Sequence, residues 1–238
     1  MSEPYRADNV LDRVGDDATR QVHYDHQMER ERALLDRRLA LRGGDVLSVG
    51  SGWHPGRHLF PRPAWRMTGA ELNGDMITVG LESGDLDDGV VGRAGELPFE
   101  PASFDVVLYR LVLHHVIYQG PLGPVFAEAA RLLRPGGALV AVEPGLWHPV
   151  GAGLALANRA RLGPAVHGTP DDIPLSPRTL MREARAAGLD PELHAVTFSW
   201  RRLPPAAQLA LHGLDGAGSR PRLAPFGHTL MLIARMAT

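Results

Sequence analysis

Residues 45–58 read DVLSVGSGWHPGRH, and the fold turns on that stretch. Val46, Leu47 and Val49 make a short apolar run, broken only by Ser48, as in a strand buried on both faces of a parallel sheet. Gly50 and Gly52 follow at once. Lacking a Cβ, they permit a tight turn and a close approach of backbone to ligand. Pro55 suits the first position of a helix, so the stretch predicts strand, glycine loop and helix, with helix-start N–H groups facing an anion. A phosphate and a carboxylate satisfy that geometry equally. The spacing is not the dinucleotide pattern G-x-G-x-x-G, because the third glycine, Gly56, arrives one residue late. It is not a phosphate loop either, since no Lys-Ser/Thr pair follows.

Outward from this loop, strand-like and helical stretches alternate. Strand-like runs stand at 65–72 (WRMTGAEL), 89–95 (GVVGRAG), the start of 103–116 (SFDVVLYRLVLHHV), 138–144 (ALVAVEP), 193–200 (LHAVTFSW) and 228–235 (HTLMLIAR). Residues 1–42 read as helical and amphipathic, ending at Gly43 and Gly44. Helices are also expected after Asn73 as N-cap, over 103–116 from about Arg110 onward, and over 123–137, stopped by Pro135-Gly136-Gly137. A Gly/Pro-rich segment, 145–175, carries one helical piece, and 176–189 opens on Ser176 as cap with Pro177 behind it. Alternation of this kind means a parallel α/β sheet with right-handed crossovers. Such sheets bind ligands beyond the carboxyl ends of their strands, at the switch point of the topology. The expected site is therefore Gly50–Gly56, Glu71–Asn73, Arg93–Gly95 and Tyr109–His115.

Glu71 ends the second strand, about 20 residues past the glycine loop, where a strand-end carboxylate grips ribose hydroxyls. A carboxylate accepts from both vicinal hydroxyls. A solvated surface Glu is the bland alternative, and the apolar setting MTGAEL disfavours it.

Composition bounds the rest. At 238 residues and 25.8 kDa the chain suits one α/β domain with additions. A net charge of −2 and the absence of any basic stripe argue against nucleic acid. The chain has no Cys, which excludes disulfides and thiolate metal sites, and every basic residue among its Lys and Arg is Arg. No apolar run approaches the ~18 residues of a membrane span, and MSEPYRADN carries no secretory pattern, so a cytoplasmic protein is expected.

Together, VLSVGSG, GAELNGDMI, ELPFEPASFDVVLYRLVLHHV and EAARLLRPGGALVAVEP resemble the class I SAM-dependent methyltransferases, specifically the type 11 methyltransferase family, over roughly residues 45–144. The resemblance implies a Rossmann-like seven-stranded, mostly parallel sheet with helices on both faces. It implies S-adenosyl-L-methionine (SAM) as cofactor and S-adenosyl-L-homocysteine as product. The expected organisation is a helical lid over 1–42 and a methyltransferase domain over 43–238, with a substrate-covering insertion near 145–175. By position, Gly50, Ser51 and Gly52 would pass under the methionine moiety. Glu71 would hold the ribose, Leu72 and Met76 would flank the adenine, and Arg93 and Ala94 would sit at its edge. Tyr109 and Arg110 would line the methionine portion. The chain departs from the family at Ser48 and Arg93, where Asp is usual, and in having Trp53, His54 and Pro55 between Gly52 and Gly56.

Methyl transfer needs alignment, and an oxygen or carbon acceptor also needs a base, a task suited to His. His115 is the first candidate, although His114 and His115 fit helix capping or packing equally well. His148 is the second, and Tyr24 and His26 could close the pocket from the first helix. His54 and His58 stand four apart, but nothing completes a metal set, so no metal is expected. Asp171 and Asp172 read as turn caps. The expected function is methylation of O, N or C on a small, moderately apolar molecule of secondary metabolism, the lid offering Leu146, Trp147, Val150 and Leu154. The alternative is a SAM-binding relative that rearranges its substrate or is inactive. Neither nucleic acid nor membrane is an expected partner, and a homodimer is left open.

Overall fold

A computed structural model describes residues 18–160, 173–216 and 220–237. Helix α1 (Ala18–Arg38) precedes β1 (Gly44–Val49), β2 (Trp65–Glu71), α2 (Gly74–Glu82), β3 (Asp88–Val91) and β4 (Phe104–Arg110). Then come α3 (Leu113–Gln119), α4 (Gly123–Leu132), β5 (Leu133–Pro144), α5 (Pro149–Arg159), α6 (Pro177–Ala186), β6 (Asp190–Thr197), α7 (Pro205–Leu214) and β7 (Thr229–Arg235). The strands form one sheet in the order β3-β2-β1-β4-β5-β7-β6. β1 to β5 are parallel, and β7 runs antiparallel to both its neighbours. The chain thus has the expected seven-stranded, mostly parallel, Rossmann-like sheet. β6 runs in the same direction as β5, so the ends of β1 to β6 share one edge.

Side chains alternate across a strand, and the two faces sort accordingly. Val107 and Tyr109 of β4 with Leu139 and Ala141 of β5 face Phe126 and Ala129 of α4 and Leu180 and Ala184 of α6. Val106, Leu108, Val140 and Val142 face the other way, toward Leu34 and Leu35 of α1, Leu39 just past it, Ile77 of α2, and Leu59 and Phe60. Each such Leu or Phe, almost fully buried, contributes about 1.5–3 kcal/mol from burial alone. The second half of α1 is therefore a core layer of the domain rather than a cover over a crevice.

The helix expected at Pro55 does not form, and residues 50–64 run in turns. Pro55, Pro61 and Pro63 remove amide donors and disfavour helical geometry in the residues before them. Gly56 takes φ +87°, a left-handed conformation that ends any helix. Arg57 satisfies the turn's backbone instead, donating to the carbonyls of Phe60, Trp65 and Asp85 and to the Asp87 carboxylate. With no helix here, α1 covers that face. Two smaller expectations also shift. Asn73 caps α2 by accepting from Asp75 N at 3.0 Å, whereas Ser176 makes no side-chain cap bond to α6. Pro135-Gly136-Gly137 lies inside β5, next to a register shift against β4, and α7 lies in a stretch read as neither helix nor strand. Asp171 and Asp172 lie outside the described residues.

Candidate active site

Parallel strands bring Gly50, Glu71, Arg93 and Arg110 to one edge of the sheet. Gly50 (φ +65°) and Gly52 (φ +45°) both need the left-handed region. A Cβ on Gly50 would lie 2.2 Å from Val112 Cγ2, so the β1 tip can pass beneath the loop before α3 only as glycine. Gly50 N donates to Ala70 O at 2.8 Å, pinning the loop to β2. The Glu71 carboxylate accepts from Gly52 N at 3.2 Å, Leu72 N at 2.7 Å and Asn73 N at 3.4 Å. An ionised carboxylate has about four lone-pair sites. These backbone donors therefore fix Glu71 in place while leaving it room to accept from a hydroxyl.

Ser48 explains itself through the inserted turn. Its Oγ is buried and donates to Pro55 O at 2.8 Å. An ionised Asp, which only accepts, could not make that bond. Ser51 Oγ faces inward, 3.0 Å from where a Cβ on Gly69 would stand, so Ser51 offers only its backbone to the edge. Leu72 is exposed, Met76 is buried in the first turn of α2, Arg93 is exposed and Ala94 is half-buried.

Alternation along β4 divides the next pair. The Tyr109 side chain turns into the α4 face, fully buried, and its hydroxyl donates to Val125 O at 3.2 Å. Burial and then Glu128 push its phenol well above the ordinary range. Tyr109 thus does not line the crevice with its side chain, contrary to expectation. Arg110 points to the opposite face, where its Nε donates to Glu31 Oε2 at 2.9 Å, so its guanidinium is committed to α1 and not to the methionine portion.

Glu31 was not anticipated. It is completely buried and also bonds His58 at 3.2 Å and Gln27 Nε2 at 2.8 Å. Burial raises its pKa, but Arg110, His58 and Gln27 prevail and hold it at about 2. His58 therefore serves this network. Among the described residues no cluster of His, Asp and Glu could hold a metal.

Glu143 also went unread. At the end of β5, fully buried, its Oε1 accepts from Val112 N at 2.9 Å and Leu113 N at 2.7 Å, stabilising the start of α3. Its Oε2 bonds His114 Nδ1 at 2.7 Å. The His115 ring lies 4.0 Å from that of His114 and is half-buried. An acid closing an apolar strand is the same signal that singled out Glu71, and it could have found Glu143.

His148 is committed elsewhere. Its Nδ1 accepts from Val150 N at 3.2 Å as the N-cap of α5, and its Nε2 donates to Phe198 O at 3.1 Å. Both ring nitrogens are used and burial lowers its pKa, so it is a neutral cap rather than a base. Tyr24 accepts from Arg201 Nη1 at 2.8 Å, and His26 Nε2 bonds Asp215 at 2.8 Å. Trp147 lies beneath Arg178 at 5.1 Å and lines a groove of about 640 Å³ along the outer edge of β6. That groove is four strands from β1, roughly 19 Å at the usual strand spacing.

Residues 47–141, from β1 into β5, match a family model described as Methyltransferase domain. Among curated proteins, the chain is 33% identical over 104 residues to a demethylmenaquinone methyltransferase of Tropheryma whipplei, covering 42% of each chain. It is 34% identical over 162 residues to the 27-O-demethylrifamycin SV methyltransferase of Amycolatopsis mediterranei, covering 65% of this chain and 57% of that one. The chain thus spans about half the length of these relatives. Its fold is similar to that of a Thermotoga maritima SAM-dependent methyltransferase described as a possible histamine N-methyltransferase (TM-score 0.64, 16% identity, covering 91% of this chain and 90% of that one). The matching family model on β1–β5, this strand order, and an acid closing β2 against a left-handed glycine loop make the chain similar to methyltransferases over its β1–β5 portion and in its fold.

Proposed function

We propose that the protein transfers a methyl group from SAM to an O, N or C atom of a small, moderately apolar molecule. The observation that carries this is the Glu71 carboxylate, fixed by Gly52 N–H beside β1, where the chain runs outward to β2 and β3 before returning to β4. The residues present fit the cofactor. Glu71 would accept from the ribose, and the backbone of Gly50, Ser51 and Gly52 would run beneath the methionine. Leu72 and Met76 would flank the adenine, with Ala94 at its edge. Arg93 has no acceptor, so it would stack on the ring rather than receive the amino group.

SAM, when bound, supplies a methyl group already activated on a positively charged sulfur. The chain's task is to align the acceptor's lone pair with that carbon and to exclude water. Where the acceptor atom carries a proton, His115 would take it, its ring held against His114 and so against Glu143. The two curated relatives are named for small-molecule acceptors, which supports that class here. Among the described residues no helix is long and apolar enough to cross a membrane.

Calorimetry on the purified chain tests the reading. SAM and S-adenosylhomocysteine should each bind with micromolar affinity or better, and NADH should not bind. Absence of binding by both SAM and S-adenosylhomocysteine would overturn it.

A further inference from the structure

The far end of the strand-tip edge, where β5, β7 and β6 meet, holds an unusual density of buried polar side chains. α1 contributes His23, Gln27 and Glu31, spaced by four residues on one face and 2%, 6% and 0% exposed. The His23 ring lies 5.8 Å from that of His212 on α7, and His212 stacks on His26 at 3.8 Å. His228, just before β7, packs on His148 at 5.1 Å. Arg201, just past β6, reaches back to Tyr24 on α1 at 2.8 Å. Gln208 donates from its amide to the carbonyls of Arg201 and Leu203, at 3.3 and 2.8 Å.

Several polar atoms here are buried with no hydrogen-bond partner: His23 Nδ1, Ser199 Oγ, Arg201 Nε, Gln208 Oε1 and His212 Nε2. They come from α1, the segment after β6, and α7, and the first, second and fourth belong to side chains at least 98% buried. Buried polar groups are ordinarily paired, so such a concentration marks where the atoms of another molecule belong.

Charge narrows the choice of that molecule. Asp215 is a buried carboxylate of the cluster, and it is consumed: Oδ2 by His26 and Oδ1 by Phe198 N at 2.8 Å. The Arg201 guanidinium therefore meets a phenol and neutral rings. Burial foremost, then neighbouring imidazoles and Arg201, keep His23 and His228 uncharged, at about 4 and about 3. An ammonium would be repelled by Arg201 and would find both Asp215 and Glu31 taken, the latter by Arg110, His58 and Gln27. An ionised oxygen would gain a cation together with the Ser199 hydroxyl and an imidazole N–H as donors.

We infer that this cluster is the acceptor-recognition subsite and that it takes a molecule bearing an ionised oxygen, an enolate, phenolate or carboxylate, anchored on Arg201. The inference rests on the methyltransferase reading above. Arg201 acts as a specificity-determining residue, with His23 and Ser199 positioning the same oxygen.

A matched pair of bicyclic probes tests it by calorimetry with S-adenosylhomocysteine present. 2-Hydroxy-1,4-naphthoquinone is ionised at neutral pH, and 2-methoxy-1,4-naphthoquinone has nearly the same shape without the charge. The wild type should bind the hydroxy compound about tenfold or more tightly than the methoxy compound. Arg201→Met should remove that preference while S-adenosylhomocysteine affinity stays unchanged, which also shows that the variant is folded. Arg201→Lys should keep part of it. Equal affinity for the two probes, no binding of either, or a preference that survives in Arg201→Met would overturn the inference. Failure of the wild type to bind S-adenosylhomocysteine would instead overturn the reading beneath it.

Discussion

At the β1–β2 end of the strand-tip edge, the site is made of backbone. Left-handed glycines, a strand-end carboxylate and amide donors define it, and few side chains take part. At the β5–β6 end it is made of buried side chains, with imidazoles, an arginine and an amide drawn together from α1, α7 and the segments flanking β6 and β7. On the proposed reading, the first end would hold one kind of nucleoside whatever the acceptor. The second can be rewritten by side-chain substitution without disturbing the sheet. The difference also separates their responses: protonation of buried imidazoles should act on the second end, whereas the first depends on one carboxylate, Glu71, and its backbone donors.

The largest expected effect comes from Glu31, the link between the two. Glu31→Ala leaves Arg110, itself only 10% exposed, without its counter-charge. Breaking a buried pair from one side costs about 3–5 kcal/mol. Urea unfolding should show a loss of that size, and Arg110→Met added to it should recover part of the stability. S-adenosylhomocysteine affinity, set at the backbone-built end, should change little in any Glu31→Ala protein that remains folded. A stability loss under about 1 kcal/mol would show that the network does not tie α1 down.

Acid should act next, and with a definite sign. His23 stays neutral in the folded protein down to about pH 4, against 6.5 when unfolded, held there by burial and by His212, His26 and Arg201. The unfolded chain therefore takes up a proton first. The stability tied to neutral His23 is fully present above pH 6.5 and falls as pH drops toward 4, by about 3 kcal/mol at roughly 1.4 kcal/mol per unit. His228, facing His148, His23 and Arg201, adds in the same direction. Glu31 acts lower down: its contribution is present above about 4.5 and is lost as pH falls toward about 2. Unfolding midpoints between pH 7 and 5 should fall in the wild type and fall less steeply in His23→Gln. Equal slopes would place the loss elsewhere.

The same division decides what could be read from the sequence. The sheet and the backbone-built end were legible, because both are written in local patterns: apolar runs, glycines and an acid at a strand end. Alternation along β4 was legible too and should have separated Tyr109 from Arg110, since neighbours on a strand face opposite ways. The absent helix at Pro55 was harder, because a first-turn proline and a turn proline look alike until Gly56, Pro61 and Pro63 are weighed together. The side-chain end was not legible. His23, Arg201, Gln208 and His228 lie far apart in sequence and meet only because β6 and β7 fold back on α1. His148 misled for the same reason: its N-cap role depends on a partner carbonyl at Phe198, fifty positions on.

Glu71 is the residue on which nucleoside binding should depend most, and one titration reaches it directly: S-adenosylhomocysteine into the wild type, Glu71→Ala and Arg201→Met, side by side. Glu71→Ala should weaken binding by about a hundredfold, the loss of charge-assisted bonds to the sugar together with the anchor on Gly52. Arg201→Met should match the wild type. A Glu71→Ala protein that holds the nucleoside as tightly as the wild type would contradict the assignment of this crevice to the methyl donor.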